Sequence, residues 1–395
     1  MAIALLIILM LLQAVPVSAQ QPSDAVATAP IRFGPLGLGP RMALTNVGVD
    51  TNVFNEAENP KQDFTLTASP GIELWLRAGR GLLTAEGRLD IAYFAKYSTE
   101  TSVGRSVSAG YEFPLNRFRP LAHFSSTKAR ERPGYEIDAR VRRQEDNGLA
   151  GMDVRLGGKS YMQLGYRQSH TTYDEDAIFE GWRLDQSLNR ASKAAEAVFR
   201  YKLTPMTTWV VRASAEQERF AFATARNSNT GRISTGFDLG RFALIRGTAQ
   251  VGYRTLTAAD GGTTPTFRGV TADVDVSYTA PTQTRLSLMT SREVEYSYEL
   301  AHPYYLQTGF SLTVTQRIIG HWDLQALGGR NRLDYRAPSL SDRVDTVDRI
   351  GGGVGYQFAD HVRVSLDAQA QHRQSVLPER RLRTFRVGGS VTYGY

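Results

Sequence analysis

Cysteine is absent from the 395-residue chain. This excludes a disulfide scaffold, thiol catalysis and cysteine metal ligands. Lysine is nearly as scarce, with 6 lysines against 40 arginines in a total of 46 basic residues. These basic residues are scattered among 39 acidic ones, so the formal net charge of +7 does not indicate a nucleic-acid surface. Arginine makes planar contacts with carboxylates and phosphates, which favours anionic lipid headgroups or a charged lining as its surroundings.

Long apolar runs are missing after the N-terminus. None approaches the roughly 18 residues that a spanning helix needs, which excludes a helical membrane protein. The N-terminus itself has an uncharged apolar run, Ile3 to Leu12, followed by the small-residue site Val17-Ser18-Ala19. This pattern predicts an export signal over residues 1–19, cleaved near Ala19, with a short buried helix as the alternative.

Residues 20–41 are rich in Pro, Gly and Ala and end in the run Gly34 to Pro40. This composition predicts a flexible periplasmic segment, with a contact to a periplasmic partner as the alternative. The segment is far too short for a folded plug domain.

From residue 42 to residue 395 the sequence alternates between apolar and polar residues in blocks of about ten. Between Leu83 and Tyr97, for example, apolar side chains share one face and charged side chains the other. Many such blocks in succession are typical of transmembrane β-strands. A soluble propeller of similar repeat length is the alternative, but it does not alternate short and long connections in this way.

Tight turns recur about forty residues apart and number eight. They are Gly79–Gly81, Pro114–Arg117, Gly157–Lys159, Thr204–Met206, Gly240–Phe242, Ala280–Thr282, Ile319–His321 and Ala359–His361. Longer polar connections separate them, such as those at 129–146, 171–189 and 335–345. Eight turns join sixteen strands, and one strand at each end brings the prediction to about 18, with 16 as the lower bound.

The predicted fold is therefore an all-β, antiparallel, up-and-down transmembrane barrel with short periplasmic turns and longer extracellular loops. Its first strand is predicted near 44–54 and its last at 385–395, where Phe385, Val387 and Tyr393 face lipid. The last strand resembles the signal by which barrel assembly machinery recognises its clients. The predicted location is the bacterial outer membrane.

Charges of both signs occupy the polar face of the predicted strands. A dry interior would not tolerate them, so the lumen is predicted to be hydrated. The predicted pore-lining residues are Glu86, Arg88, Asp90, Arg167, Arg200, Arg212, Glu216, Arg246, Asp273, Asp275, Arg285, Arg363 and Asp367. Two interpretations stay open, namely ladders that stiffen the wall and a constriction that orders permeating ions or sugars.

The connection at 129–146 is rich in arginine. The residues concerned are Arg130, Arg132, Arg140, Arg142 and Arg143. The favoured interpretation is a solvated loop that pairs with lipopolysaccharide phosphates, and the alternative is an inward-folded loop that binds an acidic polysaccharide or another anion.

Aromatic residues are frequent on and near the predicted outer loops, where they fit an outer girdle or, alternatively, platforms for sugar rings. They are Tyr135, Tyr173, Phe179, Trp182, Tyr296, Tyr298, Tyr304, Tyr305 and Tyr335.

Enzymatic chemistry has little support in the sequence. Of the six histidines, His321 and His361 fall in predicted periplasmic turns, and His170 has a weak neighbourhood for a catalytic pair. No phosphate-binding glycine loop and no metal-ligand spacing occur, so neither a catalytic residue nor a metal or other cofactor is predicted.

Several short motifs resemble those of a family of outer-membrane β-barrel porins associated with exopolysaccharide biosynthesis and export operons. They are Val47-Gly48-Val49-Asp50-Thr51-Asn52-Val53-Phe54, Pro70-Gly71, Arg130-Glu131-Arg132-Pro133-Gly134, and Leu164-Gly165-Tyr166-Arg167 with Tyr173-Asp174. The resemblance covers residues 42–395 and supplies no catalytic residues. It implies a channel whose cargo is exopolysaccharide.

Three functions are therefore predicted in order of preference. The first is an outer-membrane channel that passes exopolysaccharide, working with a periplasmic export partner. The second is a general or sugar-uptake diffusion porin. The third is a non-conducting barrel that serves as an adhesion or assembly platform. The predicted partners are outer-membrane lipid, lipopolysaccharide, the barrel assembly machinery and polysaccharide, without nucleic acid.

Overall fold

The computed structural model describes residues 23–240, 243–259, 261–337, 343–359 and 361–394. These residues form one large antiparallel sheet of 19 strands, one of which is the short N-terminal strand Ile31–Phe33. The other eighteen are β1 Leu36–Asp50, β2 Asp63–Ala78, β3 Gly81–Phe94, β4 Ser102–Glu112, β5 Phe118–Glu131, β6 Val141–Arg155, β7 Ser160–Tyr173, β8 Arg190–Thr204, β9 Thr207–Phe220, β10 Ser228–Leu239, β11 Ile245–Ala258, β12 Phe267–Thr279, β13 Thr284–Tyr296, β14 Tyr304–Arg317, β15 Trp322–Arg336, β16 Arg343–Ala359, β17 Val362–Gln374 and β18 Leu382–Tyr393.

The sheet closes on itself because β1 pairs with β18 as well as with β2. Each of these eighteen strands is antiparallel to its two neighbours in sequence, and closure leaves no open edge in the membrane. The closing pair contains a bulge at Thr45 and Asn46, where Asn46 adopts φ 53°. Asparagine is one of the few non-glycine residues that tolerate this left-handed conformation. The fold class and strand number predicted from the sequence are confirmed.

The two faces of the barrel differ in the way that the alternation predicts. On β3, Leu89, Ile91 and Tyr93 are exposed on the outer face, where lipid covers them. The residues between them, such as Arg88 and Asp90, point into the lumen. The same outward exposure of large apolar side chains continues to β18, where Phe385, Val387 and Tyr393 are exposed.

All eight predicted turns lie between consecutive strands, at the end of the barrel assigned to the periplasm. Residues 241, 242 and 360 within them lie outside the described residues. Aromatic side chains sit beside these turns on the outer face, among them Tyr111, Trp209, Trp322 and Phe358. Their position fits an interfacial girdle.

The extracellular loops carry only short helical pieces. The largest is the helix Leu184–Leu188, which follows a two-stranded ribbon formed by Ile178–Phe179 and Trp182–Arg183. In the described part of the chain, every helix is too short and too polar to span a bilayer. The loop predicted at 129–146 is confined to residues 132–140, because β5 extends to Glu131 and β6 begins at Val141, within the arginine-rich stretch.

The N-terminal segment differs from its prediction. Ser23–Thr28 is a helix, here called α1, and β1 begins at Leu36 rather than near residue 42. Val26 and Ala29 are buried beside Gly37, where an added Cβ would lie 2.6 Å from the Ala29 Cβ. Gly37 pairs with Trp75 on the inward face of β2, so α1 packs inside the periplasmic mouth. Residues 23–41 therefore contain regular secondary structure, and the barrel begins before the predicted boundary at residue 42, while the signal at 1–19 and Tyr395 lie outside the described residues.

Candidate functional site in the barrel lumen

The structure places all thirteen predicted pore-lining residues on the inward face of their strands. They fall into two groups by their contacts. Seven have a polar partner within the wall: Arg88 and Asp90 pair with each other, Arg200 with Asp153, Arg363 with Asp323, Glu216 with Ser192, Asp367 with Ser365 and Arg246 with Ser277. Their role in conduction stays a prediction.

In the wall formed by β14–β18, charged side chains lie directly over glycines of β16. Arg363 on β17 reaches across β16 to hold Asp323 on β15, with Nη2–Oδ1 and Nε–Oδ2 distances of 2.7 Å and 3.2 Å. This ion pair lies directly over Gly355, since any Cβ at that position would collide with both side chains. Asp367 lies over Gly353 in the same manner. These charged groups therefore rest along the wall.

On the opposite wall, single carboxylates bridge pairs of arginines. Asp153 on β6 contacts Arg119 on β5 and Arg200 on β8, the latter at 3.1 Å. Two arginines on one carboxylate form a ladder across four strands, which supports the interpretation that the lumenal charges stiffen the wall.

Other lumenal charges lack such partners. Among the described residues, Arg167 and Arg212 form no ion pair, and the Nε of Arg212 has no hydrogen-bond acceptor. The carboxylate of Glu196 attracts the Arg212 guanidinium, and the positive charges of Arg167, Arg200 and Arg232 oppose this attraction. Guanidinium groups without a direct ion pair in a hydrated lumen are available to a passing anion. On β12, Asp273 and Asp275 likewise form no ion pair among the described residues. The lumenal groups without an ion pair therefore include both positive and negative charges.

The extracellular third of the lumen has a different character, because it is filled by a packed apolar cluster. Leu184 and Leu188 from the loop at 174–189 pack with Leu256 on β11 and Leu306 on β14, and none is more than 3% exposed. Phe179 of the same loop packs edge-on against Tyr298, with ring centroids 4.9 Å apart. We call residues 174–189 the ribbon loop. It folds into the barrel and buries its apolar side chains there.

A second loop, residues 132–140, leaves the wall between β5 and β6 and crosses the lumen. We call it the crossing loop. At its tip the Glu136 carboxylate accepts hydrogen bonds from Ser297 Oγ at 2.5 Å and from the Tyr298 backbone N–H at 3.2 Å. These partners follow β13, which is eight positions from β5 in the ring of eighteen strands, nearly opposite. The crossing loop therefore ties the two sides of the mouth together.

Asp138 of the crossing loop is the centre of a buried ionic hub. Arg373 Nη1 on β17 lies 3.1 Å from Asp138 Oδ2, and Arg380 Nη1 in the next loop lies 3.0 Å from Oδ1. Arg373 also contacts Asp345 on β16 at 2.5 Å, and Arg380 contacts Glu180 of the ribbon loop at 3.3 Å. Arg373, Arg380 and Asp345 are almost fully buried. The hub joins both loops to the wall.

Burial raises the pKa of Glu136 to about 7, because removal from water disfavours the charged carboxylate. The hydrogen bonds from Ser297 and Tyr298 and the positive charge of Arg380 oppose this effect, and the negative charge of Glu299 adds to it. Glu136 is therefore a titratable group at neutral pH, located where the crossing loop meets the far side.

Arg226 supports the same mouth from the loop after β9. Its guanidinium donates to three backbone carbonyls, those of Ser187, Ser297 and Pro303, each at 2.6 Å. Burial lowers the pKa of this side chain to about 10, since no carboxylate contacts it directly. Arg226 thereby connects the ribbon loop to the loop after β13.

The arginines predicted to contact external anions have mostly internal partners. Arg130 contacts Glu100 at 2.6 Å, Arg132 donates to the Asp138 carbonyl at 2.7 Å, and Arg140 donates to Ser102 Oγ at 2.9 Å. Arg143 contacts Glu145 at 2.8 Å. Only Arg142 of the five has an exposed side chain and no described ion pair. The favoured interpretation of a solvated loop is therefore wrong for residues 132–140, and the inward-folded alternative describes the backbone correctly.

Most of the predicted outer aromatics are buried, and Trp182 is an exposed exception. Tyr173, Tyr296, Tyr304, Tyr305 and Tyr335 are all buried in the extracellular third of the lumen. Neither an outer girdle nor an open sugar platform describes them, because they form the walls against which the two loops pack.

Sequence reasoning missed the residues that hold these loops, chiefly Arg226, Arg373 and Arg380. Alternation places Arg373 on the inward face of β17, but no local pattern pairs it with Asp138, which lies 235 positions earlier in the chain. A burial signal is absent too, because arginine is usually exposed.

Residues 24–395 match the family described as "Putative beta-barrel porin 2". Among solved structures, a BenF-like porin from Pseudomonas fluorescens Pf-5 is similar at a TM-score of 0.51 and 8% identity, over 90% of this chain and 98% of that chain. OccAB3 from Acinetobacter baumannii is similar at a TM-score of 0.50 and 8% identity, with the same shares covered. At such identities the likeness shows the fold alone. A comparison with curated proteins gives no match.

Proposed function

Because the chain belongs to this β-barrel porin family of the outer membrane, we propose that it is a diffusion channel for small charged solutes whose extracellular mouth is gated by loops. The family match confirms the resemblance of the sequence motifs to outer-membrane β-barrel porins. Its association with exopolysaccharide operons stays a prediction. One observation carries the proposal, which is the meeting of the crossing loop and the ribbon loop above a charged lumen.

The lower lumen supports passage of hydrophilic solutes. A barrel of eighteen strands is wide enough for an aqueous interior. Its charged side chains lie along the β14–β18 wall over Gly353 and Gly355, which keeps that side of the lumen clear. Unpaired Arg167 and Arg212 on the other wall offer weak, exchangeable contacts to anions, and conduction requires binding that is weak enough to release.

The upper lumen supports a gate for small solutes. A polysaccharide chain must keep both loops displaced for as long as it passes through the mouth. This displacement separates Asp138 from two buried arginines. Separating such charges without new partners costs about 3–5 kcal/mol. A small solute needs only a brief local displacement. This difference favours the diffusion porin over the exopolysaccharide channel.

A non-conducting platform is the second candidate, because the same loops meet across the mouth. In that function the hub is permanent and the lumenal charges only stiffen the wall. The two candidates differ in the behaviour of the intact protein. A gated channel already opens at intervals with the crossing loop in place, and removal of the loop reveals that channel. A platform does not open while the loop is in place.

Planar-bilayer recording of the refolded full chain tests the proposal. We expect brief openings from the unaltered protein and large, steady openings when residues 133–139 are replaced by a short Gly-Ser linker. A matched control shortens the loop at 261–266, which shares no hydrogen bond with the crossing loop among the described residues, and we expect it to behave like the unaltered chain.

Three results contradict the proposal. Large, steady openings from the unaltered chain show that the loops do not gate it. Silence from the unaltered chain, with folding established by heat-modifiable electrophoretic mobility, leaves the platform. Added acidic polysaccharide that blocks the unaltered channel at low concentration restores the exopolysaccharide hypothesis.

A further inference from the structure

The outer face of β13–β18 changes from apolar to cationic over three adjacent rows of side chains near the extracellular end. Strand register defines the rows. The lowest row consists of Leu312, Gly328, Ile350, Ala370 and Phe385. The middle row consists of Phe310, Arg330, Asp348, His372 and Arg383. The upper row consists of Arg292, Thr308, Arg332, Thr346 and Gln374.

The cations of the two upper rows are available to the outside. Arg330 and Arg332 have side chains 59% and 57% exposed, although each also contacts a carboxylate, Asp348 and Asp334 respectively. Arg383 is exposed and has no ion pair among the described residues. Arg292 is half-buried and donates from Nη1 to Thr308 Oγ1 at 2.9 Å and from Nε to the Val270 carbonyl at 3.2 Å. Thr308 is paired with both Arg292 and Arg332, so the two arginines flank it in the same row.

A cavity of about 370 Å³ opens at the junction of the lowest and middle rows. Ile350, Ala370 and Phe385 form its apolar lining. Its polar edge contains His372, Arg383 and Asp348, whose carboxylate is paired with Arg330. An occupant of this cavity has an apolar portion directed toward the membrane core and a negatively charged group above it. Acyl chains joined to a phosphorylated headgroup have this composition.

We propose that Arg292, Arg330, Arg332 and Arg383, here called the outer arginine patch, bind the phosphate groups of a glycolipid of the outer leaflet. The acyl chains of that lipid lie on the lowest row. Guanidinium groups bind phosphate in a bidentate manner and are more weakly hydrated than ammonium groups, which suits a site at the edge of the hydrocarbon layer. The site does not depend on whether the lumen conducts.

The patch also replaces a site that the sequence alone suggested. Arg130, Arg132, Arg140 and Arg143 are used by internal contacts, so they are poor ligands for lipid phosphate. The patch arginines come from strands, which hold them at a fixed height relative to the membrane.

Binding of diphosphorylated lipid A to the detergent-solubilised full chain tests the proposal, with the dephosphorylated lipid as the comparison. Native mass spectrometry measures both. The test variant is Arg292→Gln/Arg332→Gln/Arg383→Gln, which leaves the Arg330–Asp348 pair intact. The matched control is Arg105→Gln/Arg142→Gln/Lys193→Gln, which removes three exposed outward cations from β4, β6 and β8 on the other side of the barrel.

We expect the patch variant to lose about tenfold in affinity for the diphosphorylated lipid, equal to about 1.4 kcal/mol, and the control to lose much less. The unaltered chain should prefer the phosphorylated lipid, and millimolar inorganic phosphate should not displace it. Equal affinity of the unaltered chain for both lipids overturns the proposal, and so does equal loss in both variants. Displacement by inorganic phosphate indicates a site for the free anion and overturns the lipid as the occupant. The comparison of lipids on the unaltered chain decides the matter if the patch variant does not fold.

Discussion

The lower lumen and the extracellular mouth use the same residue types to opposite effect. In the lower lumen the Arg363–Asp323 pair lies along the wall, and the Arg363 side chain remains 33% exposed. In the mouth the Arg373–Asp345 pair has 1% and 0% exposure, and the same arginine also contacts Asp138 of the crossing loop. The first arrangement keeps space open, and the second fills it. Burial, rather than charge, therefore distinguishes a lining from a closure.

The largest effect is expected from Arg373→Met. It leaves Asp345 and Asp138 buried without one of their cations, which costs about 3–5 kcal/mol. We expect steady channel openings and rapid trypsin cleavage at Arg132 and Arg140, which the intact mouth protects.

Arg363→Met is the counterpart in the lower lumen. Its pair is hydrated, so its loss should cost about 1 kcal/mol or less. Thermal unfolding and tryptic protection should then match those of the unaltered protein. Equal destabilisation by both substitutions contradicts the distinction between the two regions.

Acidity should act on the mouth through Glu136. In the closed mouth the pKa of Glu136 is raised to about 7 by burial, whereas a solvated glutamate titrates near 4.3. The closed form therefore binds the Glu136 proton more tightly than the open form. This linkage stabilises the closed form fully below about pH 4, and the stabilisation is lost as the pH rises through about 7. Conductance recorded between pH 5 and pH 8 should rise with pH.

Glu136→Gln is the control for this titration, because it keeps the hydrogen-bonding shape without the ionisable group. Its conductance should be low and nearly independent of pH in the same range. A pH dependence that persists in this variant assigns the titration to another group.

A smaller effect is expected from Gly355→Val in the lower lumen. The added side chain displaces the Arg363–Asp323 pair from the wall and should reduce the conductance of the open channel without changing how often it opens. Gly328→Ala is the matched control, since Gly328 faces lipid and has open space at its Cβ position. Single-channel amplitude and open probability, recorded separately, measure the two effects.

The smallest effect is expected from Arg212→Gln. It removes one unpaired cation from a hydrated wall, where a single charge is worth less than about 1 kcal/mol. The anion-to-cation permeability ratio, measured from the reversal potential in a salt gradient, should fall about twofold. An unchanged ratio shows that anions do not pass this residue.

The barrel could be predicted from the sequence because its causes are local. Alternation along β3 and the turn Gly79–Gly81 are features of neighbouring residues, and closure follows from the absence of water in the membrane. The inward direction of the lining residues follows from the same alternation. α1 was missed because a Pro/Gly-rich composition does not reveal that Gly37 makes room for Ala29.

The mouth could not be predicted because its contacts join distant parts of the chain. The Glu136–Ser297 bond spans 161 positions, and the Arg380–Asp138 pair spans 242. No periodicity records such a pairing, and an arginine-rich loop has the composition of a solvated one. Only the closed barrel brings these loops over one lumen.

The crossing loop closes the mouth by contacting its far side, and a crosslink at this contact tests the closure directly. Since the chain has no cysteine, Glu136→Cys/Ser297→Cys introduces a single thiol pair at that contact. Bilayer recording before and after oxidation, and again after reduction, measures its effect, with each single variant as a control. Oxidation of the double variant should abolish the openings, and reduction should restore them. Openings that persist unchanged in the oxidised, crosslinked protein would contradict the account.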